Sequence, residues 1–239
     1  MASWKMILKA RKDLCKGTSG LCFEKPASFE FRPGQFANFL IAAAITDPSG
    51  GTRTFSIASA PHEADLMIAT RMRDTGFKRA LSALPIGSEV DVQGPFGDFT
   101  LLQGIEQPAV FLAGGIGITP FRSMIRHAIQ THSKRKIFLF YSVRDLREAA
   151  FFGELQEADQ FNSHFRLVLT VSRPDQMKPG WQGETGHITE EMLRRSLPDL
   201  QVPKFYVAGP PAMVTSISCM LTAARVPDDH IRVEEFAGY

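Results

Sequence analysis

The sequence predicts two domains, a small antiparallel β-barrel followed by an α/β domain built on a parallel sheet. Short apolar strands, separated by glycine and proline turns, run from Met1 to about Gly104. After Gly104, apolar strands alternate with segments of helical periodicity, which implies right-handed crossovers and a parallel sheet. A chain of 239 residues has room for two ordinary domains. We expect residues 1–103 to form the first domain and residues 104–239 the second.

Regular spacing of strands and turns defines the first domain. The predicted strands span residues 4–10, 52–58, 65–72 and 89–93, and an apolar segment at 36–45 follows a Pro-Gly turn. One helix at residues 77–84 is expected to close the domain. Many short strands with glycine and proline punctuation favour a barrel or a sandwich.

The second domain is predicted from strands that alternate with helices. The strands span residues 109–113, 136–141, 165–171, 205–208 and 231–234. Asp145 and Glu148 form a capping-box pattern that predicts a helix through Leu155, and Pro210-Pro211 predicts a helix through Ala224. In such Rossmann-like sheets, ligands bind outside the carboxyl ends of the strands.

A glycine turn lies between the first strand of this domain and its first helix. The glycines lack a Cβ and let a ligand approach the main chain; they are Gly114, Gly115 and Gly117. We expect Thr119 to cap the helix and Pro120 to occupy its first position. Free N–H groups and the helix dipole then favour an anion at this turn. The order differs from Gly-x-Gly-x-x-Gly, so the common dinucleotide fingerprint is absent.

Other strand ends of the second domain carry small or cationic residues. They are Ser142 with Arg144, Ser172 with Arg173, and Gly209 with Pro210. Packing alone does not require such residues on one face of a sheet. A phosphate-bearing ligand accounts for them, because guanidinium and hydroxyl groups donate hydrogen bonds to phosphate oxygens.

The first domain contains its own candidate anion site. In the segment Arg53-Thr54-Phe55-Ser56, Arg53 and Phe55 share one face of a strand. A guanidinium can clamp a phosphate, and an aromatic ring can cover a planar ligand. Further along, Gly76 opens a helix among basic residues, namely Arg71, Arg73, Lys78 and Arg79. The alternatives are an ordinary barrel strand with one surface arginine and a solvated basic face.

Composition excludes several classes of function. The net charge of +2, with 44% hydrophobic and 22% charged residues, gives no overall attraction to nucleic acid or anionic membranes. We see no signal peptide or membrane span and expect a cytoplasmic protein. Three scattered cysteines are too few for an iron–sulfur cluster or a four-cysteine zinc site. The histidines show no metal-binding spacing, so we expect no metal.

Short motifs along nearly the whole chain carry a family resemblance. They are Pro-Gly-Gln at 33–35, Arg-x-Phe-Ser at 53–56, Gly-Pro-Phe-Gly-x-Phe at 94–99, Gly-Gly-x-Gly-x-Thr-Pro at 114–120, Ala-Gly-Pro-Pro-x-Met at 208–213 and Glu-Glu-Phe at 234–236. The chain resembles the ferredoxin–NADP reductase family of flavoproteins. The resemblance implies a barrel that binds FAD, with FMN the less expected flavin, and an α/β domain that binds NADPH or NADH. Hydride would pass between the two cofactors at the domain interface.

The resemblance assigns roles to particular residues of the first domain. Arg53 would hold the flavin phosphate, Phe55 would stack on the isoalloxazine, and Ser56 would lie near flavin N5. The remaining expected FAD contacts are Thr54, Thr70, Arg71, Gly76, Phe77 and Lys78.

In the second domain, the resemblance implies a cradle for the dinucleotide at Gly114, Gly115, Gly117, Thr119 and Pro120. The other expected contacts are Ser142, Arg144, Ser172 and Arg173, with Gly209, Pro210 and Met213 lining the nicotinamide channel. Phe236 is expected to cover the flavin, with Tyr239 the alternative. Glu234 or Glu235 would relay a proton. The expected catalytic residues are therefore Ser56, Glu235 and Phe236.

Departures from the family pattern affect these expectations. Phe55 replaces the usual tyrosine and keeps the ring while losing the hydroxyl. Lys78 and Arg79 stand where many members have a hydroxyl residue after the phosphate-loop glycine. Ala208 replaces the cysteine of a Cys-Gly-Pro-Pro motif; this loss should slow hydride transfer without abolishing it, because the flavin is the hydride acceptor.

The preferred interpretation is a reductase that passes electrons from NAD(P)H through FAD to a separate ferredoxin, flavodoxin or haem protein. One alternative is a reductase of free flavin, quinone or oxygen, and another is a non-catalytic nucleotide-binding component of a larger complex. Arg144 and Ser172-Arg173 favour NADPH, whereas Asp145 and Asp175 favour the ribose diol of NADH. Asp145 can instead act as the helix cap.

Overall fold

The computed structural model describes residues 3–44, 50–102, 104, 106–173, 181 and 183–236. Two six-stranded sheets account for its strands, one antiparallel and one parallel. They follow one another along the chain, so the predicted fold class of a barrel followed by a parallel α/β domain is confirmed. The boundary between residues 103 and 104 stays a prediction, because Gln103 lies outside the described residues.

The antiparallel sheet curls into a barrel. Its strands are β1 Ser3–Cys15, β2 Thr18–Glu24, β3 Phe36–Leu40, β4 Thr52–Ser56, β5 Asp65–Arg71 and β6 Glu89–Phe96. They lie in the order β4-β3-β6-β1-β2-β5. A bridge between Ile57 and Ile68 joins the two outer edges, and helix α1, Gly76–Ala83, covers the barrel with Phe77 and Leu81 buried in its core.

The parallel sheet has the order β10-β9-β8-β7-β11-β12. Its strands are β7 Ala109–Gly114, β8 Ile137–Val143, β9 Phe165–Val171, β10 Glu184–Thr185, β11 Lys204–Gly209 and β12 Ile231–Glu235. The helices are α2 Ile118–Gln130, α3 Phe152–Phe161, α4 Glu190–Ser196 and α5 Pro211–Ala223. Strand order reverses between β7 and β11, and a crevice opens at such a switch point.

The two faces of the parallel sheet pack against different partners. Val110, Phe205 and Val207 form a core with the α4 and α5 side. The opposite face, with Phe111 and Tyr206, belongs to a cluster that also contains barrel residues, including Met67, Ala69 and Phe99. The domain interface is therefore apolar at its centre, which fixes one domain against the other by burial.

Some local predictions differ from the structure. Strands β2 and β10 were not expected. Thr119 is not a helix cap: α2 begins at Ile118 after a short 3₁₀ turn, and the buried Thr119 hydroxyl donates to Ile116 O at 3.0 Å. The Asp145–Glu148 capping box is also wrong, because α3 begins only at Phe152.

The Asp145 correction has a tertiary cause. Asp145 caps a separate 3₁₀ turn by accepting from Arg147 N at 2.9 Å. The chain then passes through Phe151, whose φ is +61°. Phe151 is buried, and its ring centroid lies 5.0 Å from the guanidinium carbon of Arg122. This packing stabilises a left-handed conformation that a bulky residue otherwise avoids, and it separates the two helical segments.

Candidate functional site

A crevice of about 440 Å³ opens at the switch point of the parallel sheet. Seven of the nucleotide contacts predicted from the sequence line it: Gly114, Gly115, Ser142, Arg144, Ser172, Pro210 and Met213. They come from the carboxyl ends of β7 and β8, from the segments that follow β7, β8, β9 and β11, and from the start of α5. The strand topology therefore brings together the residues that the sequence placed at separate strand ends.

Close main-chain packing shapes the floor of the crevice. A Cβ on Gly117 would overlap the Ala208 carbonyl, and a Cβ on Gly114 would overlap the Met213 sulfur. Gly115 has a φ of +54° and open space where its Cβ would lie. Two glycines thus let β7, β11 and α5 approach one another, while Gly115 presents bare main chain to the crevice.

Five predicted nucleotide contacts occupy supporting positions, outside the described lining of the crevice. Thr119 and Pro120 are buried in α2, and Gly117 packs on β11. A Cβ on Gly209 would lie 3.2 Å from the main chain of β7. Arg173 is exposed, and its N–H donates to Arg144 O at 3.2 Å, which links the loops after β8 and β9.

Sequence reasoning did not place four of the lining residues at the crevice. Arg71 and Arg73 enter the crevice from the barrel, and His187 and Ser216 enter from the loop before α4 and from α5. Arg71 was predicted only as an FAD contact. Nothing local in the sequence marks His187 or Ser216, since neither belongs to a motif and only the fold brings them to the strand ends.

Acidic residues of the crevice region are already engaged. The Arg147 side chain donates to Asp145 Oδ2 at 2.9 Å, and this bond lowers the pKa of Asp145 to about 2. Arg71 Nη2 lies 2.7 Å from Glu148 Oε2, an ion pair between the two domains. Arg144 and Arg73 complete a basic rim around the crevice, which suits a phosphorylated ligand.

Beside the crevice, five predicted FAD contacts meet in what we call the barrel cluster: Arg53, Phe55, Thr70, Phe77 and Lys78. Arg53 lies over the Phe77 ring, 4.8 Å from guanidinium carbon to centroid. Lys78 Nζ lies 4.7 Å from the Phe55 centroid and hydrogen-bonds Thr70 Oγ1. The cluster thus joins cations, a hydroxyl and aromatic faces in one place.

The charge of the barrel cluster fits a phosphate. Burial, with Arg53 and Arg73 nearby, lowers the pKa of Lys78 to about 8. A partly buried ammonium beside two guanidinium groups carries excess positive charge, and an anion relieves this repulsion. Arg73 also lines the crevice, so the barrel cluster and the crevice share a basic border. The two cations and the Thr70 hydroxyl suit the phosphates of FAD.

Neighbouring residues of the barrel cluster have distinct positions. Ser56 is buried at the end of β4, whereas Thr54 is exposed and donates to Asn38 Oδ1 at 2.6 Å. Both lie on the face of the strand opposite to Arg53 and Phe55. Gly76 begins α1, and Thr75 caps that helix by accepting from Lys78 N at 3.3 Å. Arg79 is exposed and pairs with the exposed Asp74.

The strand β12 presents its two glutamates differently. Glu234 pairs in register with Ala208, on the face of the sheet that packs against the barrel, and Glu235 is exposed. Glu234 Oε2 is buried without a hydrogen-bond partner among the described residues. Burial, with a smaller contribution from Asp98, raises the pKa of Glu234 to about 7.

Phe236 follows directly after β12. Its N–H donates to Gly209 O at 3.0 Å, and its side chain packs against the interface cluster of Phe111 and Tyr206. It therefore lies beside the strand end that carries Gly209. Tyr239, the alternative flavin cover, lies outside the described residues.

Comparison with known proteins defines the second domain. Residues 111–218 match the oxidoreductase NAD-binding domain. The chain contains an oxidoreductase NAD-binding domain. Over its whole length, it superposes on a ferredoxin-NADP+ reductase from Plasmodium falciparum with a TM-score of 0.80 and 16% identity, covering 98% of this chain and 96% of that one. The ferredoxin–NADP reductase fold that the sequence motifs indicated is confirmed.

Further structures and relatives agree with this NAD-binding oxidoreductase fold. The FAD/NAD-binding domain of a nitric oxide dioxygenase from Vibrio cholerae gives a TM-score of 0.82 at 16% identity, covering 97% of this chain and 98% of that one. The reductase component of propane 2-monooxygenase from Rhodococcus jostii is 29% identical over 219 residues, 89% of this chain and 57% of that protein. One component of the Na(+)-translocating NADH-quinone reductase from Yersinia pestis is 29% identical over 231 residues, covering 90% and 56%. The chain thus spans little more than half the length of these relatives.

Features typical of other chemistry are not found in the part of the chain that the structure describes. Within these ranges, no group of three or more His, Cys, Asp or Glu residues is arranged to hold a metal ion. Cys15, Cys22 and Cys219 are free thiols. None of the helices described here is long and apolar enough to span a membrane.

Proposed function

We propose that this oxidoreductase takes two electrons from NAD(P)H onto FAD and passes them to a separate electron acceptor. The observation that carries the proposal is the shared border of the two sites. Arg71 and Arg73 of the barrel line the crevice of the NAD-binding domain, and Arg73 also acts on Lys78 in the barrel cluster. Two anionic cofactors bound at these sites would meet at the domain interface.

The barrel cluster would hold FAD. Arg53 and Lys78 would pair with its phosphates, and the buried Phe55 and Phe77 rings would support these two cations from below. Lys78 and Thr70 contact each other in this structure, so bound FAD would take over those hydrogen bonds. When bound, FAD supplies a two-electron acceptor that releases its electrons one at a time.

The crevice would hold the nicotinamide dinucleotide. Gly115 offers main-chain N–H and free space, and Pro210 and Met213 form an apolar wall. We propose NADPH as the preferred donor, because Arg144 and Ser172 line the crevice while Asp145 is paired with Arg147. The Yersinia relative is named for NADH, so this preference needs its own test.

A glutamate of β12 would transfer the proton, and Phe236, directly after β12, would exclude water. We assign the proton relay to Glu234 and not to Glu235, because Glu234 lies on the barrel side and has a buried oxygen without a hydrogen-bond partner among the described residues. A carboxyl group with a pKa of about 7 can exchange a proton near neutral pH. Phe236, anchored to Gly209, would cover the flavin until the nicotinamide displaces it.

We propose a protein as the electron acceptor. The part of the chain described here has no metal-binding group, and its cysteines are free. The Rhodococcus relative is named as the reductase component of a monooxygenase, and we propose a comparable partner protein here. We propose a cytoplasmic location, because the cytoplasm supplies NAD(P)H.

Reduction of a one-electron acceptor tests the proposal. FAD-loaded protein should reduce cytochrome c or ferricyanide with NADPH or NADH, and the same protein without FAD should not. Reduction of added free FMN at a higher rate than cytochrome c would favour the small-acceptor alternative. Stable FAD binding with no reduction of any acceptor would contradict the proposal and favour a non-catalytic component of a larger complex.

A further inference from the structure

Helix α2 is hydrogen-bonded to the barrel main chain just after β4, the strand that carries Arg53 and Phe55. Arg122 Nη1 donates to Ala58 O at 2.8 Å, and Ser123 Oγ donates to Ser59 O at 2.7 Å. Ala58 and Ser59 follow the Arg53–Ser56 segment by two and three residues. Arg122 is 6% exposed and Ser123 is 0% exposed, so water does not compete for these bonds.

A carboxylate from the barrel completes the contact. Glu63 accepts from Arg122 Nη1 at 2.9 Å and from Nη2 at 3.1 Å, and it also accepts from Ala60 N at 2.5 Å. Burial raises the pKa of Glu63, but its bonds and charge pairing with Arg122 outweigh this and hold the pKa below its ordinary value. One guanidinium therefore holds both the strand end and the turn that follows it. We call Arg122, Ser123 and Glu63 the interdomain clamp.

The clamp lies between the two predicted cofactor sites. Along α2, at about 1.5 Å rise per residue, Arg122 is roughly 8 Å beyond Gly117. Ala58 follows Ser56, the last residue of β4, by two residues, so the chain can separate the two by at most about 7 Å. The path from the glycine turn to the flavin strand thus runs through two short, rigid segments and the clamp.

We propose that the interdomain clamp sets the separation and angle of the two cofactors, with Arg122 as its positioning residue. The inference rests on the proposed function. In the step concerned, the C4–H bond of the nicotinamide breaks with its electron pair and an N5–H bond forms on the flavin, so the nicotinamide is oxidised and the flavin reduced. Productive transfer needs the reacting atoms about 3–3.5 Å apart, and a shift of about 1 Å costs up to roughly 100-fold in rate.

Three variants test the clamp without touching the predicted cofactor contacts. In R122M, the limiting rate of flavin reduction at saturating NAD(P)H should fall roughly 10- to 100-fold. In S123A, which removes one neutral hydrogen bond, it should fall about threefold, and R122K should lie between wild type and R122M. FAD content and the apparent Kd for NAD(P)H should change less than about twofold, because the binding groups are intact.

Matched controls separate positioning from stability. Glu154 contacts Arg122 Nε at 3.1 Å but belongs to the same domain as Arg122. E154Q therefore removes the negative charge that faces Arg122 without breaking a hydrogen bond between the domains. The limiting rate of flavin reduction should stay at the wild-type value. V226A, in the core on the far face of the sheet, should lower the melting temperature and also keep the rate.

Hydrogen exchange on the protein without FAD tests the clamp independently of enzyme activity. Hydrogen exchange at the amides of Ala60 and Met67, which bond to Glu63 and to Ser59, should speed up in R122M and S123A but not in E154Q. Unchanged limiting rates and exchange in folded, FAD-loaded R122M and S123A would overturn the inference. If neither nucleotide reduces the flavin of the wild-type protein, the proposed function itself is wrong. If wild type is reduced and the variants are reduced at the same rate, only the role of the clamp is wrong.

Discussion

The crevice and the barrel cluster are built in different ways. The crevice depends on main-chain packing, with Gly117 against the Ala208 carbonyl and Gly114 against Met213. The barrel cluster depends on long side chains, with Arg53 and Lys78 stacked on aromatic rings. A single added methyl group should therefore damage the crevice, whereas the barrel cluster should lose affinity in steps as each cation is removed.

The largest expected effect comes from G117A. Its Cβ would overlap the Ala208 carbonyl, and the resulting shift of β11 against α2 should displace the nicotinamide site. We expect flavin reduction by NAD(P)H to slow by roughly 100-fold or more while FAD stays bound, measured by stopped-flow absorbance. The control is G153A in α3, where a Cβ meets open space. Normal reduction in G117A would show that main-chain packing does not define the crevice.

The next effect concerns flavin retention. R53A removes a charge-assisted phosphate contact worth about 1.5–3 kcal/mol, so FAD should bind roughly 10- to 100-fold more weakly. The protein should fold and bind NAD(P)H as before. R79A is the matched control, because Arg79 is exposed and pairs with the exposed Asp74. Full flavin content in purified R53A would contradict the phosphate contact assigned to Arg53.

A smaller effect should separate the two nicotinamides. Arg144 lines the crevice, while Arg173 is exposed beside it. R144A should raise the apparent KM for NADPH by about tenfold and leave that for NADH within about twofold, because only NADPH carries a 2′-phosphate. R173A should do the same more weakly. Equal changes for NADPH and NADH in R144A would end the case for a 2′-phosphate contact.

The smallest expected effect distinguishes the two glutamates of β12. The pKa of Glu234 is raised to about 7, so its carboxyl can donate a proton below that pH and loses it above. Steady-state turnover of wild type should bend near pH 7 and fall severalfold above it. E234Q should lose the bend and E235Q should keep it. If the bend in the pH profile disappears in E235Q and stays in E234Q, the proton relay belongs to Glu235.

Thermal melting gives an independent check on Glu234. With a raised pKa, the folded state binds more protons than the unfolded state between pH 4.5 and about 7, so wild-type stability should fall as pH rises through this window. E234Q should lack this contribution. The difference in melting temperature between E234Q and wild type should therefore grow in favour of E234Q up to about pH 7 and then level off.

Sequence reasoning predicted the parallel domain better than the barrel. Strand β7 was predicted to within one residue of its observed bounds, because a strand buried on both faces reads as a continuous apolar run. Strand β2 was missed, since its Gly20 interrupts the pattern and its partner β1 supplies the Leu14 side chain that packs there. Tertiary packing also overrode the Asp145 capping box, through the left-handed Phe151.

The site was predicted where local motifs carry it and missed where distant segments meet. Gly115 and Arg144 follow strands and were expected at the crevice. Arg73 and His187 reach it only through the assembled fold. The bonds of Arg122 to Ala58 and Glu63 span 64 and 59 residues of sequence, and no spacing rule in a single sequence could place them together.

Anaerobic titration of the FAD-loaded protein tests the central claim most directly. The flavin absorbance near ~450 nm is followed as NADPH or NADH is added. We predict full bleaching by one equivalent of donor, faster with NADPH, since the crevice and the barrel cluster share a border. A protein that holds both FAD and the nucleotide but keeps its flavin oxidised would contradict the claim that the two sites form one electron-transfer centre.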